Sequence, residues 1–225
     1  MMKRLLSVST SGARASAAYF ENGVMRGLKL SDGVSHSSAI GVLVNELLNE
    51  ANCAPADLDC LAVDIGPGSF TGVRIGVSFV NGMALALNIP VVPVTSLRAL
   101  RHNAKDEKLV ACMIDARNSS VYAALYDGNS ELIAPEAYDV ADFAAQIPTG
   151  AVCVGDGAVR YAETDMHERT SEDITVLPGS VNIVTAEGVG RAACAMGDAD
   201  AVGYAVPLYL RPSQAERMRD IRKQK

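Results

Sequence analysis

The strongest hydrophobic pattern in the chain lies in residues 61–88. Positions 61–65 form a short apolar run, which is typical of a strand covered on both faces of a sheet. The run ends at a Gly-Pro-Gly turn, where glycine tolerates positive φ and proline fixes its own φ. Ser69 or Thr71 then offers an N-cap for a predicted helix that extends to about Leu87.

Two apolar stripes run along this predicted helix, and no charged residue occurs between Arg74 and Arg98. A helix on the surface of a domain with a single core needs one apolar face, so two stripes predict burial on two sides. Either a neighbouring helix of the same chain or another protein covers the second side. Gly72 and Gly76 would allow another backbone to approach closely. The stripes consist of Val73, Val77, Val80, Ala84 and Leu87, and of Ile75, Phe79, Met83 and Ala86.

The rest of the first half predicts a small sheet with flanking helices. Its hairpin turn is Glu21-Asn22-Gly23, a sequence typical of two antiparallel strands joined tightly. The helix before the long one has a single apolar face, made of Ile40, Leu43, Val44, Leu47 and Leu48. The predicted elements are strands at 5–9, 15–20, 24–30 and 91–94, and helices near 37–50, 70–88 and 95–104.

The second half of the chain repeats the order of elements of the first. A shift of 106 residues, without a gap, places 5–23 on 111–129, so that Ser9 falls on Asp115. An apolar strand at 151–154 then ends in a Gly-Asp-Gly turn, where the first half has Gly-Pro-Gly. The repeat predicts two α/β lobes that face each other across a cleft. The predicted divisions are 1–106 and 107–210 for the lobes, with a late helix at 181–196 that can pack back on the first lobe, and 211–225 for a basic tail.

The charge of the chain is uneven. Its net charge is −6, which argues against a general nucleic-acid-binding surface. Residues 211–225 carry six basic and two acidic side chains, typical of a solvated or disordered terminus and less often of a contact for phosphate. No apolar run approaches the roughly 18 residues of a membrane span, and the N-terminal apolar run is too short for a signal peptide. A cytoplasmic protein is therefore expected.

Neither the cysteines nor the histidines follow a ligand pattern. The five cysteines are scattered without a CxxC pair, mostly in apolar runs, and are expected to be reduced core residues. The three histidines show no HxxxH or HExxH spacing, so no local pattern predicts a metal site.

Glycine turns that face a cleft can hold a nucleotide, because free backbone N–H groups at helix N-termini attract phosphate. The signal is short in both halves, since no lysine follows the Gly-Pro-Gly turn as it does in a GxxxxGK[ST] loop. The alternative is a pair of tight turns that merely end strands. The residues of this nucleotide-cleft hypothesis are Gly66, Pro67, Gly68, Ser69, Thr71, Arg74, Asp115, Gly155, Asp156 and Gly157.

An enzyme of this layout would need carboxylates that hold Mg²⁺ and orient the nucleophile. The first strand ends in Ser9 instead, while Asp115 holds the equivalent place in the second half and Asp64 lies inside the central strand. One carboxylate without its counterpart makes a poor kinase or ATPase, and Asp115 can equally form a structural ion pair with Arg117. A hydrolase would use Ser69, but its surroundings are not GxSxG and no histidine stands beside it.

The stretch 66–100 closely resembles one family, the TsaB (YeaZ) proteins of the bacterial tRNA threonylcarbamoyladenosine pathway. The family hallmark G-P-G-S-F-T-G-x-R-x-G is intact at 66–76, and I-P-V-x-x-V-T-S-L follows at 89–97. Weaker similarity covers 115–126 and the segment PLYLR at 207–211. The chain departs from the family at positions 9–11, where Ser-Thr-Ser stands in place of the usual D-T-S.

The resemblance implies an α/β, actin-like (ASKHA, ribonuclease H-like) fold of two duplicated lobes. It implies a degenerate relative of the transferase TsaD that lacks the histidine metal motif and has no catalytic residues or cofactor of its own. Such proteins bind a TsaD-type partner and a TsaE-type ATPase, with ATP or ADP only at the joint surface. They form a homodimer when alone and meet tRNA only through the complex.

The resemblance also places the partner contacts on the helices near 37–50 and 70–88. The predicted interface residues are Ile40, Leu43, Val44, Leu47, Gly72, Val73, Gly76, Val77, Val80, Met83 and Ala84. The sequence thus favours a non-catalytic scaffold subunit of the modification complex. Two enzyme alternatives are an ATP-binding or ATPase protein that uses the interlobe cleft, and a glycoprotease-like peptidase, the grouping (M22) in which the family once stood.

Overall fold

The computed structural model describes residues 3–32, 36–104 and 106–211, which fold into ten strands and seven α-helices. The strands are β1 (Arg4–Ser9), β2 (Ser16–Glu21), β3 (Val24–Leu30), β4 (Cys60–Asp64), β5 (Val91–Val94), β6 (Leu109–Asp115), β7 (Ser120–Asp127), β8 (Ser130–Asp139), β9 (Val152–Val154) and β10 (Thr175–Val176). The helices are α1 (His36–Glu50), α2 (Phe70–Leu87), α3 (Ser96–Asn103), α4 (Val140–Ala144), α5 (Asp156–Tyr161), α6 (His167–Glu172) and α7 (Ala186–Met196).

Two five-stranded sheets share one topology. The first has the order β3-β2-β1-β4-β5, and the second has the order β10-β9-β6-β7-β8. In each sheet the first three strands of the half form an antiparallel meander, and the later strands join the edge of the first strand in parallel. The repeated order predicted from the sequence is therefore present in the strand topology.

The helices and sheets stack in five layers. The α1 and α2 helices cover the outer face of the first sheet, where they pack against Leu6, Val8, Leu61 and Val63. Between the two sheets lie α3 and α7, in a core cluster that holds residues of both. The outer face of the second sheet packs against α4 and α5. The α7 helix comes late in the chain yet contacts β1, β2 and β4 of the first sheet.

The caps explain where the long helix begins and ends. The Oγ atom of Ser69 accepts a hydrogen bond from the backbone N–H of Gly72 at 3.2 Å, which caps α2 as predicted. Asn88 ends the helix in the left-handed conformation with φ of 54°. The predicted hairpin turn is also present, with Asn22 and Gly23 both at positive φ as a type I′ turn requires.

The C-terminal strap, residues 202–211, runs along α2 without forming a strand ladder. Val202 forms a single bridge with Val91, and the N–H of Leu208 donates to the carbonyl oxygen of Ile65 at 2.8 Å. The side chain of Asn81 on α2 exchanges two hydrogen bonds with the backbone of Ala205, at 2.9 and 2.8 Å. The strap therefore fixes one flank of α2, and the rest of the predicted basic tail, 212–225, lies outside the described residues.

The α2 helix is more apolar than the sequence analysis allowed. It has 18 residues and a mean hydropathy of 1.4, so one helix in the described part of the chain is long and apolar enough to cross a membrane by length and composition. Core helices of globular proteins pass the same test, and α2 packs on a sheet. Only 33% of its residues are fully buried, while the second stripe is partly buried against the same core cluster and Phe70 and Leu85 are exposed.

The cysteines are packing residues, as the sequence predicted. All five are free thiols, and four of them are buried. Burial raises the pKa of Cys60 and of Cys153 to about 12, so these thiols stay protonated at neutral pH. Among the described residues, no group of three or more His, Cys, Asp or Glu side chains is arranged to hold a metal ion.

Candidate partner surface and interlobe turns

The structure settles which stripe of α2 faces inward. The first stripe packs against the sheet: Val73, Val77, Val80 and Ala84 are all buried. The apolar face of α1 does the same, in one cluster with that stripe. Ten of the eleven residues predicted as partner contacts are buried within this chain, and Met83 alone is partly exposed. These ten residues belong to the core of this chain, so a partner that contacts α1 or α2 would meet other positions of the two helices first.

The two glycines of α2 face the same chain as well. A Cβ atom added at Gly72 would overlap the carbonyl oxygen of Thr10, and one at Gly76 would overlap the Thr10 hydroxyl. That hydroxyl donates to the carbonyl oxygen of Gly72 at 2.7 Å. The backbone that approaches α2 is therefore the end of β1, and close approach by another protein at these glycines is excluded by the packing.

The outer face of α2, defined here as Phe70, Thr71, Arg74, Ile75, Ser78 and Leu85, turns away from the sheet. Leu85 is 86% exposed and Phe70 is 39% exposed, both large values for apolar side chains. On α1, the neighbouring Val42 is 55% exposed. A groove of about 380 Å³ is lined by the first five of these α2 residues. An exposed apolar strip with a groove is a surface suited to another protein.

Arg74 is held rigidly at the rim of this groove. Its guanidinium carbon lies 3.8 Å from the centroid of the Phe70 ring and 5.6 Å from that of the Tyr209 ring. Its Nε donates to the Tyr209 hydroxyl at 2.8 Å. The centroids of the Phe70 and Tyr209 rings lie 5.1 Å apart. Cation–π contact and the hydrogen bond together fix the orientation of a side chain that would otherwise be mobile. Tyr209 belongs to the strap, and no sequence pattern apart from the PLYLR similarity pointed to this contact.

At the carboxyl end of the first sheet, Asp64 is enclosed by four donors. Its Oδ1 accepts from the N–H of Gly66 at 2.9 Å and from the Ser96 hydroxyl at 2.6 Å. Its Oδ2 accepts from the hydroxyls of Ser9, at 2.8 Å, and Ser11. The residue is fully buried. Burial raises the pKa of the Asp64 carboxyl, and the hydrogen bonds from Ser11, Ser96, Gly66 and Ser9 oppose that rise.

Two backbone donors at the Gly-Pro-Gly turn are used within the chain. The N–H of Gly66 points to Asp64, Pro67 has no N–H, and the N–H of Ser69 donates to the Ser11 carbonyl at 2.8 Å. A Cβ at Gly68 would lie 2.9 Å from the Ser11 Cβ, so the turn lies directly on the end of β1. Two of the N–H groups that a phosphate-binding loop would direct outward are therefore bonded within this chain.

The Gly-Asp-Gly turn of the second half is likewise engaged. The N–H of Gly155 donates to Oδ1 of Asn182 at 2.8 Å, and Oδ1 of Asp156 accepts from the N–H of Asp115 at 3.0 Å. A Cβ at Gly157 would lie 3.0 Å from the backbone of Ile114. Burial raises the pKa of the Asp156 carboxyl. The turn therefore ends a strand and anchors β6.

Asp115 forms the structural ion pair that the sequence offered as an alternative. Its Oδ2 lies 3.3 Å from Nη1 of Arg160 and 3.9 Å from Nε of Arg117. Its Oδ1 accepts from the Tyr161 hydroxyl at 3.0 Å and from the backbone N–H of Arg117 at 2.8 Å. Both oxygens are thus occupied by groups of the same lobe.

The α3 helix stands between the two turns. Its first residue, Ser96, bonds Asp64 and, through its N–H, the carbonyl oxygen of Gly66. One turn later, the Leu100 side chain lies 3.1 Å from the position a Cβ of Gly155 would take. The α3 helix therefore contacts both glycine turns, through Ser96 at one and Leu100 at the other.

Comparison with known proteins relates the chain to one family of tRNA-modification proteins. The family model of tRNA N6-adenosine threonylcarbamoyltransferase, TsaD, matches residues 33–168. The tRNA threonylcarbamoyladenosine biosynthesis protein TsaB of Bacillus subtilis is 31% identical over 193 residues, which are 81% of this chain and 82% of that protein. A YeaZ-like protein of known structure from Pseudomonas aeruginosa superposes with a TM-score of 0.77 at 29% identity, covering 93% of this chain and 100% of that chain.

A more distant structure shows the fold alone. The activator of 2-hydroxyisocaproyl-CoA dehydratase from Clostridium difficile superposes with a TM-score of 0.54 at 10% identity, over 88% of this chain and 95% of that chain. The duplicated sheets and their layers are those of the actin-like (ASKHA) fold. With the intact glycine-turn motif at the start of α2, the chain belongs to the TsaB (YeaZ) family of tRNA threonylcarbamoyladenosine biosynthesis proteins.

Proposed function

We propose that this protein is a non-catalytic scaffold subunit of the tRNA threonylcarbamoyladenosine modification complex. It binds a TsaD-type transferase through the outer faces of α1 and α2 and acts with a TsaE-type ATPase. The observation that carries the proposal is α2 itself, an apolar helix of 18 residues with only 33% of them buried by this chain. A partner helix pair laid on this face would bury Leu85, Phe70 and Val42, and apolar burial would drive the association.

The state of the carboxylates supports a subunit without catalysis of its own. Both oxygens of Asp64 and both oxygens of Asp115 already face donors of this chain. A phosphoryl-transfer site needs carboxylates free to hold Mg²⁺. Nucleotide turnover by this subunit alone is not expected, and ATP or ADP would bind only at a surface shared with the partner.

The test is size-exclusion chromatography with light scattering, run on the chain alone and then mixed with the TsaD-type protein of the same genome. The expected result is a heterocomplex that displaces any homodimer. Leu85→Asp should leave the chain folded and prevent the heterocomplex, because a charge would enter an apolar contact. The matched control is Leu132→Asp, since Leu132 is also apolar, is 54% exposed and lies on β8 of the other sheet.

The proposal is contradicted if the two proteins elute separately both with and without the TsaE-type ATPase and ATP. Equal loss of binding in the Leu85 and Leu132 variants would also contradict the assignment to α2. Hydrolysis of ATP by the purified chain alone would favour the enzyme alternative.

A further inference from the structure

Arg74 is an exposed cation that has no carboxylate partner among residues 3–32, 36–104 and 106–211. No Asp or Glu occurs between residues 65 and 105, and within the described residues no carboxylate lies within ion-pair distance of its guanidinium group. Its Nε is used by Tyr209. Arg74 lines the groove on the outer face of α2, and no hydrogen bond from its terminal nitrogens is found within the described residues.

The surroundings of Arg74 hold it in place before any partner arrives. The guanidinium is stacked on the Phe70 ring at 3.8 Å and is tied to Tyr209, which the strap carries across α2. The strap is itself fixed by the two hydrogen bonds between Asn81 and Ala205. A side chain ordered in advance loses less entropy on binding. Arginine and aromatic side chains also dominate the energetically important residues of protein interfaces.

We propose that Arg74 is the charged anchor of the partner surface and that it receives a carboxylate from an otherwise apolar segment of the TsaD-type partner. This inference rests on the proposed function and adds the chemistry of the contact. The occupant follows from charge complementarity. The groove offers one cation, two hydroxyls and apolar walls, and it holds no acidic group. A planar guanidinium can bind a carboxylate through two parallel hydrogen bonds.

Tyr209 is a positioning residue in this arrangement. It makes no ion pair with the partner, but its hydroxyl fixes the plane of the guanidinium. The strap therefore takes part in recognition although it is distant from the glycine-turn motif in sequence. Arg74 stands in that motif, as the R of G-x-R-x-G.

The test measures the dissociation constant of the complex by titration calorimetry at several salt concentrations. Arg74→Gln should weaken binding by about tenfold or more and flatten the salt dependence, since one close ion pair is lost. Arg74→Lys should have an affinity between those of the wild type and Arg74→Gln, because lysine keeps the charge but cannot form the two parallel hydrogen bonds. Tyr209→Phe should weaken binding by a few-fold. Arg26→Gln is the matched control, since Arg26 is an exposed arginine on β3 that pairs with Glu21 at 3.6 Å.

The outcomes separate this inference from the function it rests on. If wild-type protein binds the partner and Arg74→Gln binds it with the same affinity and salt dependence, the anchor is wrong and the scaffold proposal stands. If Arg74→Gln weakens only self-association, the site belongs to a second copy of this chain and the inference is overturned. If wild-type protein does not bind at all, the proposed function itself fails. Thermal unfolding of each variant, expected to be unchanged, separates loss of binding from loss of fold.

Discussion

At the scale of single residues, His102 shows how the layer between the sheets controls charge. It lies on α3, and burial together with Arg101 and Arg98 of the same helix and Arg191 of α7 lowers its pKa from 6.5 to about 4. The His102 imidazole is therefore neutral in the folded protein at neutral pH. Protonation of His102 would place a fourth positive charge beside the three arginines, in a region partly shielded from water.

The pH dependence of stability follows from that lowered pKa. Between pH 6.5 and about 4, His102 is protonated in the unfolded chain but neutral in the folded chain. The free energy of unfolding therefore falls as the pH falls. The contribution of His102 amounts to up to about 3 kcal/mol. Replacement by a neutral side chain, His102→Gln, should remove this part of the slope. Urea unfolding of both proteins at pH 7 and pH 5 measures the fall in free energy of unfolding. An equal fall in the wild type and the variant would contradict the assignment to His102.

Sequence patterns predicted local residue roles better than distant ones. The cap Ser69 was predicted, because a cap and its helix are neighbours in the chain. The hydrogen bonds that enclose Asp64 were not predicted, because its serine partners lie 32 to 55 positions away in the sequence. A serine that follows an apolar strand has no pattern that reveals which carboxylate it will meet.

At the scale of elements, two glycines in α2 have opposite roles. Gly72→Ala should lower the free energy of unfolding by about 1–3 kcal/mol, because the new methyl would overlap the Thr10 carbonyl oxygen. Gly82→Ala should raise it by up to about 1 kcal/mol, since nothing lies within 4 Å of the new atom and alanine favours the helix. Chemical denaturation of the two variants checks the pair. Equal effects would mean that α2 does not pack on β1 as described.

The sequence predicted α2 and its two stripes but could not orient them. Both stripes are apolar and have the same period, so the pattern is symmetric with respect to inside and outside. Packing on the sheet determines which stripe faces inward, because the end of β1 fits only against the glycine side of the helix. The α6 helix and the two-residue β10 escaped prediction because short elements carry too few positions to show a period.

At the scale of the whole molecule, the shared central layer should make the two sheets unfold together. The α7 helix contacts β1, β2 and α3, and the same core cluster includes residues of β6, β7 and β9. Unfolding followed by circular dichroism and by tyrosine fluorescence should therefore give one coincident transition. Gly190→Val, which would overlap the Phe20 ring, should shift both curves to lower denaturant concentration together.

Two separate transitions, or a shift confined to one probe, would contradict this single unit. The sequence predicted the repeat that produces two sheets, because duplicated elements keep their order. It did not reveal how much core the sheets share, because the contacts of α7 join positions about 170 residues apart, such as Ser16 and Ala186. Long-range packing of this kind leaves no local period in the sequence.

The enclosure of Asp64 also bears on how this chain could change over evolutionary time. A mutation of Ser9 to aspartate would restore the acidic residue usual in the family, but it would place a second carboxylate where a hydroxyl now lies 2.8 Å from the first. Two like charges that close cannot both remain ionised in a buried site. A single substitution would therefore be harmful before it could be useful. A second carboxylate at this end of the sheet would therefore require coordinated changes on two strands.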